Sequence, residues 1–208
     1  MKDDTHERIL DGTTELVARR GFRPGRIEEI AEHIGVSVKT IYNHFGSKHA
    51  LVIAVVQRDL DSLFGHFNEV LDREDLSFPE KVHDIISFGL ERARLHTPGW
   101  FQLMGVPEPG ITQHFLPQLR QRFLRVFHRL WEQGRDADAI DEHIDGDTMG
   151  YALLFLIEGF LGVSREESLT RPSHELLRRA LNMHLFGLLS PKARRSAPYL
   201  PQAHPRQA

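Results

Sequence analysis

The stretch RIEEIAEHIGVSVKTIYNHFGSK, from Arg26 to Lys48, decides the fold of this chain. Gly35 near its centre predicts a turn, because glycine adopts a left-handed backbone without a steric penalty. Ser37 is placed to cap a helix after that turn by accepting backbone N–H bonds. Apolar residues recur on both sides of the turn at the spacing of one helical face, which predicts two short amphipathic helices. These residues are Ile27, Ile30, Ala31 and Ile34 before the turn, and Ile41 and Phe45 after it.

Three positions define the predicted geometry as a helix-turn-helix. Ala31 has to be small because the second helix crosses close to its Cβ, Gly35 makes the turn, and Ile41 fills the space between the two helices. The other face of the second helix carries hydrogen-bond donors and aromatic rings, which suit base edges, thymine methyls and phosphates in a major groove of DNA. The alternative is a solvated polar face on an ordinary helical hairpin. The residues of this face are Lys39, Thr40, Tyr42, Asn43 and His44.

The run from Arg8 to Val56, and most closely GVSVKTIYNHFGSKHAL, resembles the DNA-binding domain of the tetracycline repressor (TetR) family of bacterial transcriptional regulators. The resemblance implies an all-α fold of about nine helices. It implies an N-terminal three-helix helix-turn-helix domain over residues 1–46 and a C-terminal helical ligand-binding and dimerisation domain over residues 47–190. The tail over residues 191–208 has four prolines, four Lys or Arg and no acidic residue, a composition that predicts disorder.

Two further phosphate contacts are expected from the same resemblance. It places one at Lys48, in the first turn of the following helix, where the helix N-terminus also favours an anion. The family commonly has a Thr or Ser pair before the second helix, where this chain has Gly25 and Arg26. We therefore expect Arg26 to take over the contact of the missing hydroxyl. The predicted DNA-binding set is Arg26, Ser37, Lys39, Thr40, Tyr42, Asn43, His44 and Lys48.

The composition excludes several classes of site. The 208 residues contain no cysteine, which excludes disulfides and thiolate metal sites. The 13 histidines are scattered without the spacing of a metal site, so we predict no metal and no cofactor. The net charge of −3 argues against indiscriminate polyanion binding. The start MKDDTHERIL lacks an apolar signal region and no apolar run approaches the roughly 18 residues of a membrane span, so we expect a soluble cytoplasmic protein with no membrane partner.

Apolar periodicity predicts a series of longer helices after the helix-turn-helix. The first begins after Ser47, which can cap it, and continues well past the small domain. The next is predicted to end near His96 at Thr97-Pro98-Gly99, followed by a short helix around Trp100–Met104 and a non-helical Pro/Gly stretch over residues 105–110. Later helices are predicted from Phe115 or Pro117 to Gln133, from Asp147 to Val163, and from Pro172 or Ser173 to Leu189.

The last two of these helices carry more apolar surface than one core requires. The resemblance implies that they form a four-helix interface with a second copy of the chain, giving a homodimer. Such a dimer would place its two recognition helices in successive major grooves. The expected DNA partner is therefore a double-stranded palindromic operator with half-sites about one helical turn apart or slightly more.

The aromatic residues of the C-terminal region predict a pocket for a small, largely apolar effector, because ligand pockets are mostly apolar with a few polar groups. The alternative is that most of these side chains pack the core. Effector binding would favour a conformation in which the long helix tilts, and operator affinity would fall. The candidate ligand-binding residues are Phe88, Trp100, Phe101, Met104, Phe123, Phe127, Trp131, Tyr151, Phe155 and Glu158.

Other classes of function are weighed against this interpretation. We find no phosphate-cradling glycine loop, nucleophile elbow or zinc motif, so the chain is not predicted to be an enzyme. A second alternative is a helix-turn-helix protein that acts as an activator or as a protein-binding adaptor without a small-molecule effector. The sequence favours a repressor, because repression is the commoner mode in the family that it resembles.

Overall fold

The structure, a computed structural model, describes residues 2–20, 27–105, 109–163 and 173–196. Side chains are described for residues 4–16, 27–92, 117–159, 175–185 and 187–193. Within the described ranges the regular elements are nine helices, which confirms the predicted all-α class. They are α1 (Lys2–Arg20), α2 (Ile27–Ile34), α3 (Val38–Phe45), α4 (Lys48–Asp72), α5 (Phe78–Gly105), α6 (Pro109–Asp136), α7 (Gly146–Val163), α8 (Ser173–Leu188) and α9 (Pro191–Ser196).

The chain divides into two compact units. The first comprises Met1–Phe64 and Leu95–Phe115, and the second comprises Gly65–Arg94 and Leu116–Ala208. Helix α4 runs without interruption from Lys48 to Asp72, so its residues belong to both units.

The core of the first unit joins the first four helices. Its buried members include Ile9 and Ile41, which are both 0% exposed, and Leu51 and Val55 from α4. The packing of the helix-turn-helix therefore extends beyond Phe45 into the first two turns of α4. The assignment of DNA binding to residues 1–46, and of ligand binding and dimerisation to residues 47–190, stays a prediction. The complete buried cluster is Ile9, Leu10, Ile27, Ile30, Ala31, Ile41, Leu51 and Val55.

Arg58 ties the N-terminal half of α4 to α1. Its guanidinium donates to Asp11 Oδ1 at 2.8 Å, to Glu7 Oε2 at 3.3 Å and to Thr14 Oγ1 at 3.1 Å. These acceptors recur at helical spacing, so one arginine bonds along one face of α1. Both acidic partners are exposed, and such pairs are individually weak. Their effect is to fix the register of the two helices.

A buried lysine holds the last turn of α4 in the second unit. Lys81 is 9% exposed, and its ammonium donates to the Leu71 carbonyl at 2.9 Å and to Gln133 Oε1 at 3.0 Å. Gln133 Nε2 donates to the same carbonyl at 2.9 Å. The carbonyls of a final helical turn lack N–H donors within the helix. The Lys81 and Gln133 side chains supply donors to the Leu71 carbonyl instead. Arg129 adds bonds to Asn68 and Asp72.

An antiparallel bridge between Ile140 and Leu189 joins the segment after α6 to the end of α8. Asp141 N donates to the Leu188 carbonyl at 3.0 Å, and Ser190 N donates to the Ala139 carbonyl at 2.9 Å. Gly134 permits the close approach of this segment, because a Cβ there would lie 2.5 Å from Ile140 Cδ1. The bridge closes a loop that contains α7 and α8.

Ser190 then caps α9 by accepting from Ala193 N at 3.1 Å. The prediction of disorder from residue 191 onward is therefore wrong for Pro191–Ser196, which form this helix. Proline is favoured in the first turn of a helix, where its missing N–H costs nothing. Residues 197–208 lie outside the described residues.

Two helices are longer than predicted. Helix α5 continues through Thr97-Pro98-Gly99 to Gly105, so the separate helix around Trp100–Met104 is not formed. Helix α6 begins at Pro109 and contains Pro117, so the Pro/Gly stretch over residues 105–110 is helical wherever it is described. An internal proline removes one hydrogen bond and can kink a helix without ending it. In the parts of the chain that are described, no helix has both the length and the apolarity needed to cross a bilayer.

We predict that the stability of the chain depends on pH through His184. Its Nε2 is buried without a hydrogen-bond partner among the described residues, and burial lowers the pKa of the imidazole below its usual value of 6.5. The unfolded chain therefore takes up a proton more readily than the folded chain as pH falls below about 6.5. We expect the free energy of unfolding to fall from pH 7 to pH 5, until the folded-state pKa is passed.

The measurement is urea denaturation at several pH values. His184→Gln should flatten the decline, because the substituted side chain does not titrate. The exposed His143 provides a matched control for the replacement of a histidine by glutamine, and His143→Gln is measured in parallel. An unchanged slope in the His184 variant would show that other groups cause the dependence.

Candidate nucleic-acid interface

The turn between α2 and α3 is built as the sequence predicts. Gly35 has a φ of 73°, a left-handed conformation that glycine adopts without strain. Its N–H donates to the Glu32 carbonyl at 3.2 Å, and Val36 N donates to the Ala31 carbonyl at 2.9 Å. Ala31 is 4% exposed and Ile41 is 0% exposed. Both predicted packing positions are therefore buried, one on each side of the turn.

Helix α3 is capped at both ends. Ser37 Oγ accepts from Thr40 N at 3.0 Å and lies 2.8 Å from Thr40 Oγ1. At the other end, Gly46 has a φ of 73° and donates its N–H to the Tyr42 carbonyl at 2.8 Å. These caps hold an eight-residue helix that would be marginal in isolation. They fix the direction in which its outer side chains point.

The polar face of α3 is open to solvent. Lys39, Tyr42 and Asn43 are exposed, with Tyr42 at 42%, whereas Thr40 and His44 are half-buried. Because Ile41 lies on the buried side, the helix separates a packing face from a polar face. The polar face presents an ammonium, a phenol and an amide together. Such groups bind phosphates and the base edges of a major groove.

The charges of the two short helices differ. Helix α3 contains no acidic residue, whereas α2 exposes Glu28, Glu29 and Glu32. Carboxylates repel phosphates, so a polyanion meets a favourable surface at α3 and an unfavourable one at α2. This contrast favours α3 as the helix that contacts nucleic acid.

The N-terminus of α4, which follows α3 in the chain, is where the phosphate contact at Lys48 is predicted. Ser47 caps it by accepting from Ala50 N at 3.0 Å, as the sequence predicts. Lys48 is the first residue of α4 and is half-buried. The orphan N–H groups of a helix N-terminus favour a negative charge. A phosphate contact at Lys48 stays a prediction.

His44 is a residue of α3 whose ring lies close to α1. Its ring centroid is 6.0 Å from that of His6, and His6 stacks on Phe45 at 4.5 Å. Sequence reasoning missed His6, because nothing in the local pattern of α1 relates it to a helix 38 positions later. Of the other predicted contacts, Ser37 serves as a cap, and Arg26 lies outside the described residues.

The predicted ligand-binding residues occupy several different settings. Phe123 and Phe127 are buried and stacked at 5.6 Å. Phe88 is half-buried and stacks on His66 at 3.8 Å. Trp131 donates its Nε1–H to the Ile144 carbonyl at 2.8 Å. The side chains of Trp100, Phe101 and Met104 lie outside the described ones.

Three other members of that set lie outside the buried core, and their role as ligand contacts stays a prediction. Tyr151 is 49% exposed and Phe155 is 67% exposed on α7, so neither lines an enclosed pocket within the isolated chain. Glu158 accepts two hydrogen bonds from Arg120, one of them at 3.2 Å, so its carboxylate already has an internal partner. An apolar helix such as α7 does not reveal from its sequence which side faces the core. Among the described side chains, no cluster of three or more His, Asp or Glu could hold a metal ion.

Comparison with known sequences places the similarity at the N-terminus. Residues 9–55 match the profile described as bacterial regulatory proteins, tetR family. The chain is 34% identical over 70 residues to the HTH-type transcriptional activator FasR of Mycolicibacterium smegmatis, which covers 34% of this chain and 32% of FasR. It is 33% identical over 70 residues to the HTH-type transcriptional repressor KstR2 of Rhodococcus jostii, covering 34% of each protein. The match thus spans about a third of these relatives.

Comparison with solved structures extends the likeness over most of the chain. SmeT, the repressor of the Stenotrophomonas maltophilia multidrug efflux pump SmeDEF, aligns with a TM-score of 0.70 at 17% identity over 96% of this chain and 97% of its own. CprB, a TetR family protein from Streptomyces coelicolor solved with its operator sequence, aligns with a TM-score of 0.63 at 19% identity over 96% of this chain and 94% of its own. At these identities the likeness shows the fold alone.

Proposed function

We propose that the chain is a DNA-binding transcriptional regulator of the TetR family, whose profile residues 9–55 match. The proposal rests on one observation, that α3 has a buried apolar face and an exposed polar face. Ile41 is fully buried in the helical core, while Lys39, Tyr42 and Asn43 are exposed on the side that carries no acidic residue. The relatives and structural neighbours compared above are regulators by name, and the proposal includes no catalytic activity.

A homodimer formed through α7 and α8 is the second part of the proposal. These two helices pack against each other in the second unit. Tyr151 and Phe155 on α7 are exposed at i and i+4, and Met183 on α8 is 78% exposed. Large apolar side chains in a row on a surface are typical of protein interfaces. We therefore reassign Tyr151 and Phe155 from the effector pocket to the dimer surface.

The effector of the proposed regulator is small and largely apolar. Its pocket would lie in the second unit and use the aromatic rings of Phe88, Phe123, Phe127 and Trp131. Effector binding would shift the population toward a conformation in which α4 tilts and the dimer no longer matches the groove spacing. The relatives include both an activator and repressors by name. We propose repression, and a promoter–reporter measurement with and without the protein tests the sign.

The test of DNA binding starts from the DNA that flanks the gene of this chain. Genomic fragments retained by the purified protein are sequenced, and the bound fragments are footprinted with a nuclease. The expected result is a protected inverted repeat, with half-site centres about 34–36 Å apart or slightly more. Affinity for the repeat should fall with added salt, because lysine contacts to phosphates release counterions. The absence of a protected inverted repeat from every retained fragment would refute the proposal.

A further inference from the structure

Helix α4 has a single glycine, Gly65, at a position where the described structure leaves room for a side chain. A Cβ there would meet no described atom within 4 Å. Glycine in a helix interior is less favourable than alanine, because its backbone loses more conformational freedom on folding. Alanine would therefore fit at this position and strengthen the helix. Gly65 makes α4 locally weaker than the surrounding packing requires.

The parts of α4 before and after Gly65 are held by different partners. The part before it belongs to the first unit, where Arg58 bonds to α1. The part after it belongs to the second unit, where His66 Nε2 lies 2.7 Å from Asp84 Oδ1 on α5. In the same part, the Leu71 carbonyl of the last turn accepts from two side chains. Gly65 is therefore the first residue after the change from one set of partners to the other.

The other two helices that contribute to both units also contain residues that weaken a helix. In α5 the contribution to the first unit begins at Leu95, and Pro98 and Gly99 follow within the helix. In α6 the contribution to the second unit begins at Leu116, and the next residue is Pro117. Proline removes one hydrogen bond of a helix, and glycine lowers its stability. Each of the three helices thus carries a weak point close to the position where it passes from one unit to the other.

We propose that α4 bends at Gly65, so that the part of the helix held in the first unit changes direction while the part held in the second unit keeps its contacts. Hinges are short segments in which a few backbone dihedral angles absorb a motion. A straight helix that tilts as one rod would give Gly65 no part. The bend itself is independent of the proposed function. Its use in DNA binding, the adjustment of each recognition helix to the spacing of the half-sites, rests on that function.

Amide hydrogen exchange in the free protein tests the bend without any ligand. The amides of residues 66–69 donate the hydrogen bonds that span Gly65, because each N–H of a helix bonds to the carbonyl four residues earlier. We expect these amides to exchange faster than those of residues 52–56 in the same helix, since local opening exposes them without global unfolding. Gly65→Ala should slow their exchange about fourfold, the ratio by which alanine favours a helix over glycine.

Gly159 on α7 provides the matched control. It is exposed, and a Cβ there would also meet no described atom within 4 Å. Gly159→Ala makes the same change in a helix that belongs to the second unit alone, and should leave the exchange of residues 66–69 unchanged. Equal slowing by both substitutions would show that these amides exchange through global unfolding, which contradicts a local bend. Protection of residues 66–69 as high as that of residues 52–56 would also overturn it.

The use of the bend in DNA binding is tested with the footprinted operator, synthesised with one base pair added or removed between the half-sites. A protein that bends tolerates the altered spacing better than one that does not. In Gly65→Ala the ratio of the affinities for the original and altered operators should rise roughly fourfold for each subunit that has to bend. An unchanged ratio would overturn this role. Failure to bind any inverted repeat would instead refute the proposed function, and the exchange result would stand.

Discussion

Replacing Ile41 by alanine is expected to lower the free energy of unfolding by about 2–5 kcal/mol, because it removes a fully buried aliphatic side chain and leaves a cavity. Ile41 is 0% exposed and lies in a cluster formed by α1, α2, α3 and α4. Few other residues can close the space, because α3 is held by caps at both ends. The loss is measured by urea denaturation followed by circular dichroism. DNA affinity should fall with it, because α3 loses its anchor.

Tyr42 is the matched control for that experiment, since it follows Ile41 directly and is 42% exposed. Tyr42→Ala should change the free energy of unfolding by no more than about 0.5 kcal/mol, as surface substitutions usually do. A large loss of stability in Tyr42→Ala and little loss in Ile41→Ala would mean that α3 faces the opposite way. The buried and exposed faces of the helix would then be exchanged.

Replacing both Lys39 and Tyr42 by alanine is expected to weaken operator binding by roughly a hundredfold or more. Lys39 and Tyr42 are both exposed on the polar face of α3. A good contact to a base edge contributes about 1–3 kcal/mol, and a symmetric dimer loses each contact twice. If Lys39 contacts a phosphate, the slope of log affinity against log salt should also fall by about one per subunit. Titration of labelled operator at several salt concentrations measures both quantities.

Glu28 and Glu32 provide the control for the double substitution. Both are exposed on α2, where their carboxylates would face phosphates unfavourably if α2 approaches the duplex. Glu28→Ala with Glu32→Ala changes the same number of surface side chains and should hold or raise operator affinity. A Lys39 and Tyr42 double variant that still bound the operator as well as the unsubstituted protein would support the adaptor alternative, in which α3 does not contact DNA.

The local chemistry of the helix-turn-helix could be read from the sequence because each part depends on neighbouring residues. The left-handed turn at Gly35, the cap at Ser37 and the burial of Ile41 all follow from residues within a few positions of each other. The proposed DNA surface could therefore be predicted one residue at a time. The half-burial of His44 could not be predicted in this way, because its neighbour His6 comes from a different helix.

Other features could not be predicted from neighbouring residues. They are side-chain contacts with distant partners, the exposed face of α7 and the continuation of α5 past a proline. The bond between Glu158 and Arg120, which lies 38 positions away, could not be predicted from the local pattern, and a ligand contact at Glu158 stays a prediction. The exposure of Tyr151 and Phe155 could not be predicted, because α7 is apolar on nearly every side and no period marks its outer face. The sequence predicts a helix end before Pro98, but α5 continues past it. The start of α9 did carry a signal, the pair Ser190 and Pro191, which is a cap followed by a favoured first residue.

The bridge between Ile140 and Leu189 has a consequence for the order in which the nascent chain folds. The buried cluster of the helix-turn-helix is complete in the polypeptide once Val55 has been made. The second unit cannot close its loop before Leu189 leaves the ribosome. At roughly 5–20 residues per second, α3 acquires its packing partners on the order of ten seconds before the bridge can close the loop that contains α7 and α8.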